Sequence, residues 1–121
     1  MKIILVAEDD KFLSNAYRIK LMKLGYDVVI LSDGEQVMHY LHDNSVPDLL
    51  LLDLIMPIKD GFDTLREIKV KGLKKFPIIV ASNLGEGEDI RKAKELGAID
   101  YIIKSDLSLQ ELADKINSYL V

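Results

Sequence analysis

The first, third, fourth and fifth of five short apolar runs in this chain end in polar or charged side chains that could do chemistry together. They are Glu8, Asp9 and Asp10 after the first run, Asp53 after the third, Ser82 and Asn83 after the fourth, and Lys104 after the fifth. If the runs are parallel strands, their carboxyl ends share one edge of a sheet and these groups lie together. Carboxylates held that close repel one another, and a stable core does not need them. The pattern therefore predicts a functional site.

A divalent cation would relieve the repulsion among these acids. Magnesium takes oxygen ligands and keeps waters that phosphate oxygens can replace, whereas zinc favours sulfur and nitrogen ligands and the chain has no cysteine. With the charge offset, Asp53 can act as a nucleophile that forms an acyl phosphate. Lys104 can hold one phosphoryl oxygen as a point charge, and the Ser82 hydroxyl can donate a hydrogen bond to another. The residues thus indicate Mg²⁺-dependent phosphoryl transfer to Asp53.

The apolar runs and the stretches between them predict the elements that position these groups. The runs cover 3–7, 28–31, 49–52, 78–81 and 101–103, and their unbroken apolar character favours parallel strands buried on both faces. The first stretch between the runs has helical spacing of apolar residues at Leu13, Tyr17, Leu21 and Leu24. The last stretch has it at Leu109, Leu112, Ala113, Ile116 and Leu120. A capping box formed by Ser108 and Glu111 precedes this last helix. Five such units predict an α/β fold, a three-layer αβα doubly wound sandwich of the flavodoxin-like type. Its five-stranded parallel sheet, with five helices, should have the order 2-1-3-4-5 and a crevice where strands one and three end.

Length and composition limit the classes of protein to consider. The chain has 121 residues, of which 49% are hydrophobic and 30% charged, as expected for one globular domain over residues 1–121 with no room for an output domain. A net charge of −4 argues against direct nucleic-acid binding. No apolar run approaches the ~20 residues that cross a bilayer, so we expect no membrane contact. The absence of cysteine fits a cytoplasmic protein.

Several segments resemble the receiver domain of two-component response regulators, with single-domain, chemotaxis-regulator-like members as the nearest type. The most specific segment is 53–61, Asp-Leu-Ile-Met-Pro-Ile-Lys-Asp-Gly, which is similar to the family's phosphorylation segment. The others are the first strand with its acids at 4–10, the start of the second helix at 31–35, the fourth strand with its hydroxyl at 77–82, and the fifth strand with an aromatic residue and lysine at 97–104. The resemblance covers essentially the whole chain.

The resemblance implies a role for each matching residue. Asp53 would be the phosphoacceptor, and Mg²⁺ would be bound by Asp9, Asp53 and the backbone carbonyl of Ile55, with Glu8 acting through water. Lys104 would contact the phosphoryl group, and Ser82 and Tyr101 would move as switch residues. The phosphodonor would be a sensor histidine kinase or a histidine phosphotransfer protein. The surface of the fourth helix, fifth strand and fifth helix would then control an unknown downstream protein, with homodimerisation on phosphorylation as an option. Beyond its own phosphorylation and dephosphorylation, the chain would not be an enzyme.

Two departures from the family pattern leave alternatives open. Ser105 stands where the family usually has a proline after the lysine, so the bond between Lys104 and Ser105 is either trans, with a reshaped loop, or a strained cis bond. Asn83 stands where a small residue is common. Both departures are compatible with the alternative function, a receiver fold that binds partners without phosphorylation. A haloacid-dehalogenase-type hydrolase would need an Asp-x-Asp pattern after strand one, and a flavodoxin would need a phosphate-binding loop where the chain has acids. Asp9 or Asp10 could also simply cap a helix.

Overall fold

The computed structural model describes residues 1–43 and 46–121, in which strands and helices alternate along the chain. The strands are β1 (Ile3–Ala7), β2 (Asp27–Leu31), β3 (Leu49–Leu52), β4 (Ile78–Ser82) and β5 (Asp100–Ile103). The helices are α1 (Lys11–Lys23), α2 (Gly34–Asp43), α3 (Gly61–Val70), α4 (Gly87–Glu95) and α5 (Leu109–Leu120). A short 3₁₀ turn over Lys104–Asp106 joins β5 to the loop before α5. The elements therefore follow the five strand–helix units expected from the sequence.

All strand pairs of the sheet are parallel, in the order β2-β1-β3-β4-β5, which confirms the predicted topology. The register brings the strand ends to one level, because Ala7 pairs with Leu52 and Leu52 pairs with Val80. At the next pair of strands, Ser82 lies opposite Ile103. The residues that follow these positions must therefore emerge along the same edge of the sheet.

Two apolar clusters cover the two faces of the sheet. The strands supply alternate residues to each cluster, as β3 shows, where Leu50 and Leu52 belong to one and Leu49 and Leu51 to the other. Helices α2, α3 and α4 pack on the first face, and α1 and α5 pack on the second. Because both faces are covered, the strand residues between the polar ends Asp27, Ser82 and Asp100 can be apolar, as the sequence predicts.

Local signals account for where several helices begin and end. The Asp10 side chain caps α1 by accepting a hydrogen bond from the Leu13 amide at 3.1 Å, so Asp10 and not Asp9 has the capping role. The capping box of α5 is formed between Ser108 and Glu111. One expectation about α1 was wrong: the helix ends at Lys23, and Leu24 is 41% exposed, outside the buried face. None of the helices in the described part of the chain has the length and apolar character needed to span a bilayer.

Candidate functional site

An open cleft of about 310 Å³ lies at the carboxyl edge of the sheet. It is lined by Glu8, Asp9, Asp10, Leu13, Asp53, Ile55, Ser82, Asn83 and Lys104. These residues come from the ends of β1, β3, β4 and β5, together with the start of α1. The predicted convergence is therefore present, and every polar residue singled out at a strand end reaches the cleft.

Three carboxylates form the floor and one wall of this cleft. Glu8, Asp9 and Asp53 each offer an oxygen within 4.8 Å of the other two. Glu8 is only 3% exposed and Asp53 only 7%, whereas Asp9 faces solvent. Two buried acids next to a third are unfavourable without a cation. An all-oxygen set with one side open to water suits a magnesium-sized ion, so the residues fit the predicted metal.

Lys104 supplies a positive charge to the same acids. Its ammonium group donates a hydrogen bond to Glu8 Oε1 and lies 3.2 Å from Asp53 Oδ2. Burial raises the pKa of Glu8 above its ordinary value, and the bond from Lys104 opposes this rise only in part. Burial alone would lower the pKa of Lys104, but the bond to Glu8 and the charge of Asp53 raise it. The ammonium group therefore stays charged between the two acids.

Backbone groups hold the two buried acids in place. The Asp10 amide donates to Glu8 Oε2 at 3.2 Å, and the Ile55 amide makes a longer bond to Asp53 Oδ1 at 3.4 Å. The start of α3 packs directly beneath Asp53, since the Gly61 amide donates to the Leu54 carbonyl at 2.9 Å. Ile55 lines the cleft, while its carbonyl as a metal ligand stays a prediction.

The predicted switch residues Ser82 and Tyr101 are linked through Leu84. Ser82 is fully buried, and its hydroxyl oxygen accepts a hydrogen bond from the Leu84 amide at 3.3 Å. The Tyr101 hydroxyl donates to the Leu84 carbonyl, and this half-buried ring lies outside the cleft. Burial raises the pKa of Tyr101, and the charge of Asp89 adds to the rise. A movement of Ser82 would therefore reach Tyr101 through a single residue.

The structure resolves the question raised by Ser105. Among residues 1–43 and 46–121 no peptide bond is cis, so Lys104 and Ser105 are joined in trans. Lys104 opens the 3₁₀ turn and still reaches Glu8 and Asp53. The bond is therefore trans, as in the first alternative, and Lys104 keeps its place in the site.

Sequence reasoning missed a group of ion pairs that ties down the loop after Asp53. Lys59 pairs with Glu35 of α2 at 3.1 Å and with Glu67 of α3, which also binds Lys71 at 2.8 Å. The hydrogen bonds from Lys59 and Lys71 lower the pKa of Glu67 to about 2. Only the Glu67–Lys71 pair has a spacing that the sequence shows, four residues apart on one helix; the pairs of Lys59 join separate elements and no spacing rule reveals them. They connect the loop that carries Ile55 to both neighbouring helices.

Comparisons with known proteins identify the family that this chain resembles. A sequence model of the family described as "Response regulator receiver domain" matches residues 4–117. Transcriptional regulatory protein CpxR of Klebsiella pneumoniae is 38% identical over 120 residues, which cover 99% of this chain and 50% of that protein. This chain spans about half the length of the curated relatives it matches.

Solved structures give the same result. The Mn²⁺-bound form of response regulator Rcp1 matches with a TM-score of 0.87 and 31% identity, over 99% of this chain and 94% of that one. The phosphorylated cyanobacterial phytochrome response regulator RcpA matches with a TM-score of 0.83 and 34% identity, over 97% of this chain and 89% of that one. These matches extend across the whole sheet and its helices.

Proposed function

The chain belongs to the response regulator receiver domain family, and we propose that it acts in phosphorelay signalling by accepting a phosphoryl group on Asp53. The observation that carries the proposal is the cleft that joins Asp53 to Glu8, Asp9 and Lys104. Four strand ends contribute to it, and a purely structural domain has no need of such a concentration of charge.

Magnesium is the cofactor we propose, held by Asp9, Asp53, the backbone carbonyl of Ile55 and, through water, Glu8. The close approach of the three carboxylates supports this set, as does the Mn²⁺ bound in the related Rcp1 structure. When bound, the ion would offset negative charge and hold one phosphoryl oxygen. Everything else in the transfer depends on the side chains of the chain itself.

The proposed transfer starts from a phosphohistidine on a sensor kinase or a histidine phosphotransfer protein. An Asp53 carboxylate oxygen forms a bond to phosphorus while the phosphorus–nitrogen bond to the donor imidazole breaks, and the imidazole nitrogen keeps the electron pair and takes up a proton. Lys104, already 3.2 Å from Asp53, would turn from Glu8 towards a phosphoryl oxygen. The Ser82 hydroxyl would donate to another oxygen.

The proposed response is a change in the surface formed by α4, β5 and α5. If Ser82 moves towards the phosphoryl group, its bond from the Leu84 amide is broken, and the Leu84 carbonyl that holds Tyr101 shifts with it. Helix α4 buries only Ala93 among its residues, so it has little packing to resist a shift. The phosphoryl group would favour one of two existing arrangements by binding it better.

The remaining parts of the proposal concern partners and setting. The downstream target is an unidentified protein that binds the α4–β5–α5 surface. A second copy of this chain, in a homodimer formed on phosphorylation, is one such partner. The related CpxR is a transcriptional regulatory protein of twice this length, so a control of transcription would need partners or segments outside this domain. We propose a cytoplasmic setting, because the ATP that charges a kinase is found there. Catalysis would be confined to self-phosphorylation and self-dephosphorylation.

Intact mass spectrometry after incubation with acetyl phosphate and Mg²⁺ tests the proposal. We expect one phosphoryl adduct on the unsubstituted chain and on Asp63→Asn, an exposed aspartate of α3 that serves as the matched control. We expect none on Asp53→Asn. An adduct that persists in Asp53→Asn would refute the assignment. A folded chain that takes up no phosphoryl group would favour an interaction module that works without phosphorylation.

A further inference from the structure

Asn83 is a strand-end residue whose uncharged side chain has no hydrogen-bond partner in residues 1–43 and 46–121. It is exposed and lines the acidic cleft beside Ser82. No hydrogen bond or ion pair joins its carboxamide to any of these described residues, although the residues on both sides of it, Ser82 and Leu84, are bonded to each other. The carboxamide is therefore free to bind a ligand in the cleft.

A role in shaping the turn does not explain this side chain. Asparagine is common in turns because its carboxamide bonds to backbone groups two residues away. Here the Ser82 hydroxyl oxygen makes that contact, with the Leu84 amide, and the Asn83 carboxamide is not used in the turn. The turn closes through Ser82 alone, so the turn does not require the carboxamide of Asn83.

The charges in the cleft make a carboxamide a suitable hydrogen-bond donor there. Three carboxylates face one ammonium group, and a phosphoryl group on Asp53 would carry close to two negative charges in place of the single charge of the carboxylate. Hydrogen bonds to a charged acceptor are stronger than neutral ones. A carboxamide offers two N–H donors and has no charge of its own that could disturb the neighbouring acids or attract Glu8.

We propose that the Asn83 carboxamide donates a hydrogen bond to a phosphoryl oxygen on Asp53, as a third side-chain contact beside Lys104 and Ser82. The inference rests on the proposed function and adds a phosphoryl-binding residue to it. In this arrangement Asn83 favours a tetrahedral anion seated over Asp53.

Binding of beryllofluoride, a stable phosphoryl analogue, tests the role without any turnover. Titrations with Mg²⁺ and beryllofluoride, followed by fluorine NMR, should show binding about tenfold weaker in both Asn83→Ala and Asn83→Leu, since one bond to a charged acceptor is lost. Leucine has the branched shape of asparagine and is no smaller, so Asn83→Leu separates the hydrogen bond from mere filling of space. Asn15→Ala, an exposed asparagine of α1 outside the cleft, should bind as the unsubstituted chain does.

The outcomes distinguish this inference from the function on which it rests. Beryllofluoride affinity equal to that of the unsubstituted chain in Asn83→Leu overturns the hydrogen bond. Failure of the unsubstituted chain to bind the analogue, together with no phosphoryl adduct by mass, overturns both proposals. Urea unfolding of both Asn83 variants establishes that they are folded, because an exposed side chain without partners should change stability by no more than about 0.5 kcal/mol.

Discussion

Replacing Gly61 with alanine tests whether the position of Asp53 depends on the close approach of α3. Gly61 is the first residue of that helix, and it is not among the residues with positive φ, so alanine suits its backbone conformation. The added methyl group would lie 2.3 Å from the Asp53 carbonyl oxygen and 2.6 Å from the Leu54 Cα. Both are backbone atoms, which cannot turn away as a flexible side chain could. The helix and the end of β3 must therefore separate.

The size of the effect follows from that separation. Forcing extra atoms into a well-packed site costs about 1–3 kcal/mol, and contact with two backbone atoms places Gly61→Ala at about 3 kcal/mol. Alanine returns up to about 1 kcal/mol through its higher helix propensity. We expect a net loss of about 2 kcal/mol in the free energy of unfolding. With a urea slope of about 2 kcal/mol/M, the unfolding midpoint should fall by about 1 M.

Urea unfolding followed by circular dichroism measures this change, and Gly87→Ala is the matched control. Gly87 is the first residue of α4, but no atom lies within 4 Å of the methyl group it would gain. Its midpoint should stay the same or rise, since alanine at an open position stabilises by about 0.4–1 kcal/mol. Beryllofluoride binding should also weaken in Gly61→Ala and not in Gly87→Ala, because only the first moves Asp53. Equal midpoints for the two variants would show that the α3 contact is looser than the structure indicates.

Two further predictions concern the Lys59 ion pairs and α4. Because Lys59 and then Lys71 lower the pKa of Glu67 from 4.5 to about 2, their stabilisation is complete above the unfolded value and disappears as the pH falls towards the folded one. Glu67→Gln should thus lower the free energy of unfolding by about 1 kcal/mol at neutral pH, a modest figure because the pairs are near the surface. Urea unfolding at acid pH should show a smaller difference between the variant and the unsubstituted chain. A difference that does not depend on pH would contradict the prediction. In native-state hydrogen exchange, α4 should open more readily than α5, because α4 buries only Ala93 and α5 buries four residues. Equal protection of the two helices from exchange would argue against α4 as the moving element.

The sequence was most informative where one physical rule governed a segment. The run at Leu49–Leu52 is a strand with the bounds predicted, because an unbroken apolar run this short favours a strand covered on both faces. The capping box at Ser108 likewise gave the start of α5 correctly, since its hydrogen bonds are local. Convergence of Asp53 with Lys104 followed from strand order and parallel pairing.

Features that depend on distances between separate elements were out of reach. The bond from Lys104 to Glu8 requires the side chain to reach across the edge of the sheet, and no residue pattern encodes that reach. The sequence around Lys59 likewise does not show that α2 and α3 bring acids to its ammonium group. Ile58 has a φ of 68°. Because β-branched residues disfavour positive φ, the residue type at this position does not predict its backbone conformation. The end of α1 before Leu24 is the kind of boundary that periodicity alone places poorly.

The contact between Lys104 and Glu8 joins residues 96 positions apart, and their strands are separated by β3 and β4 in the sheet. A chain still emerging from the ribosome has Asp53 and its neighbouring acids long before it has the cation that balances them. Until β5 is synthesised and docks at the far side, the acids have no ammonium group beside them. The complete site is therefore a property of the finished polypeptide. A fragment that lacks β5 also lacks the Lys104 ammonium group that pairs with Glu8 and Asp53.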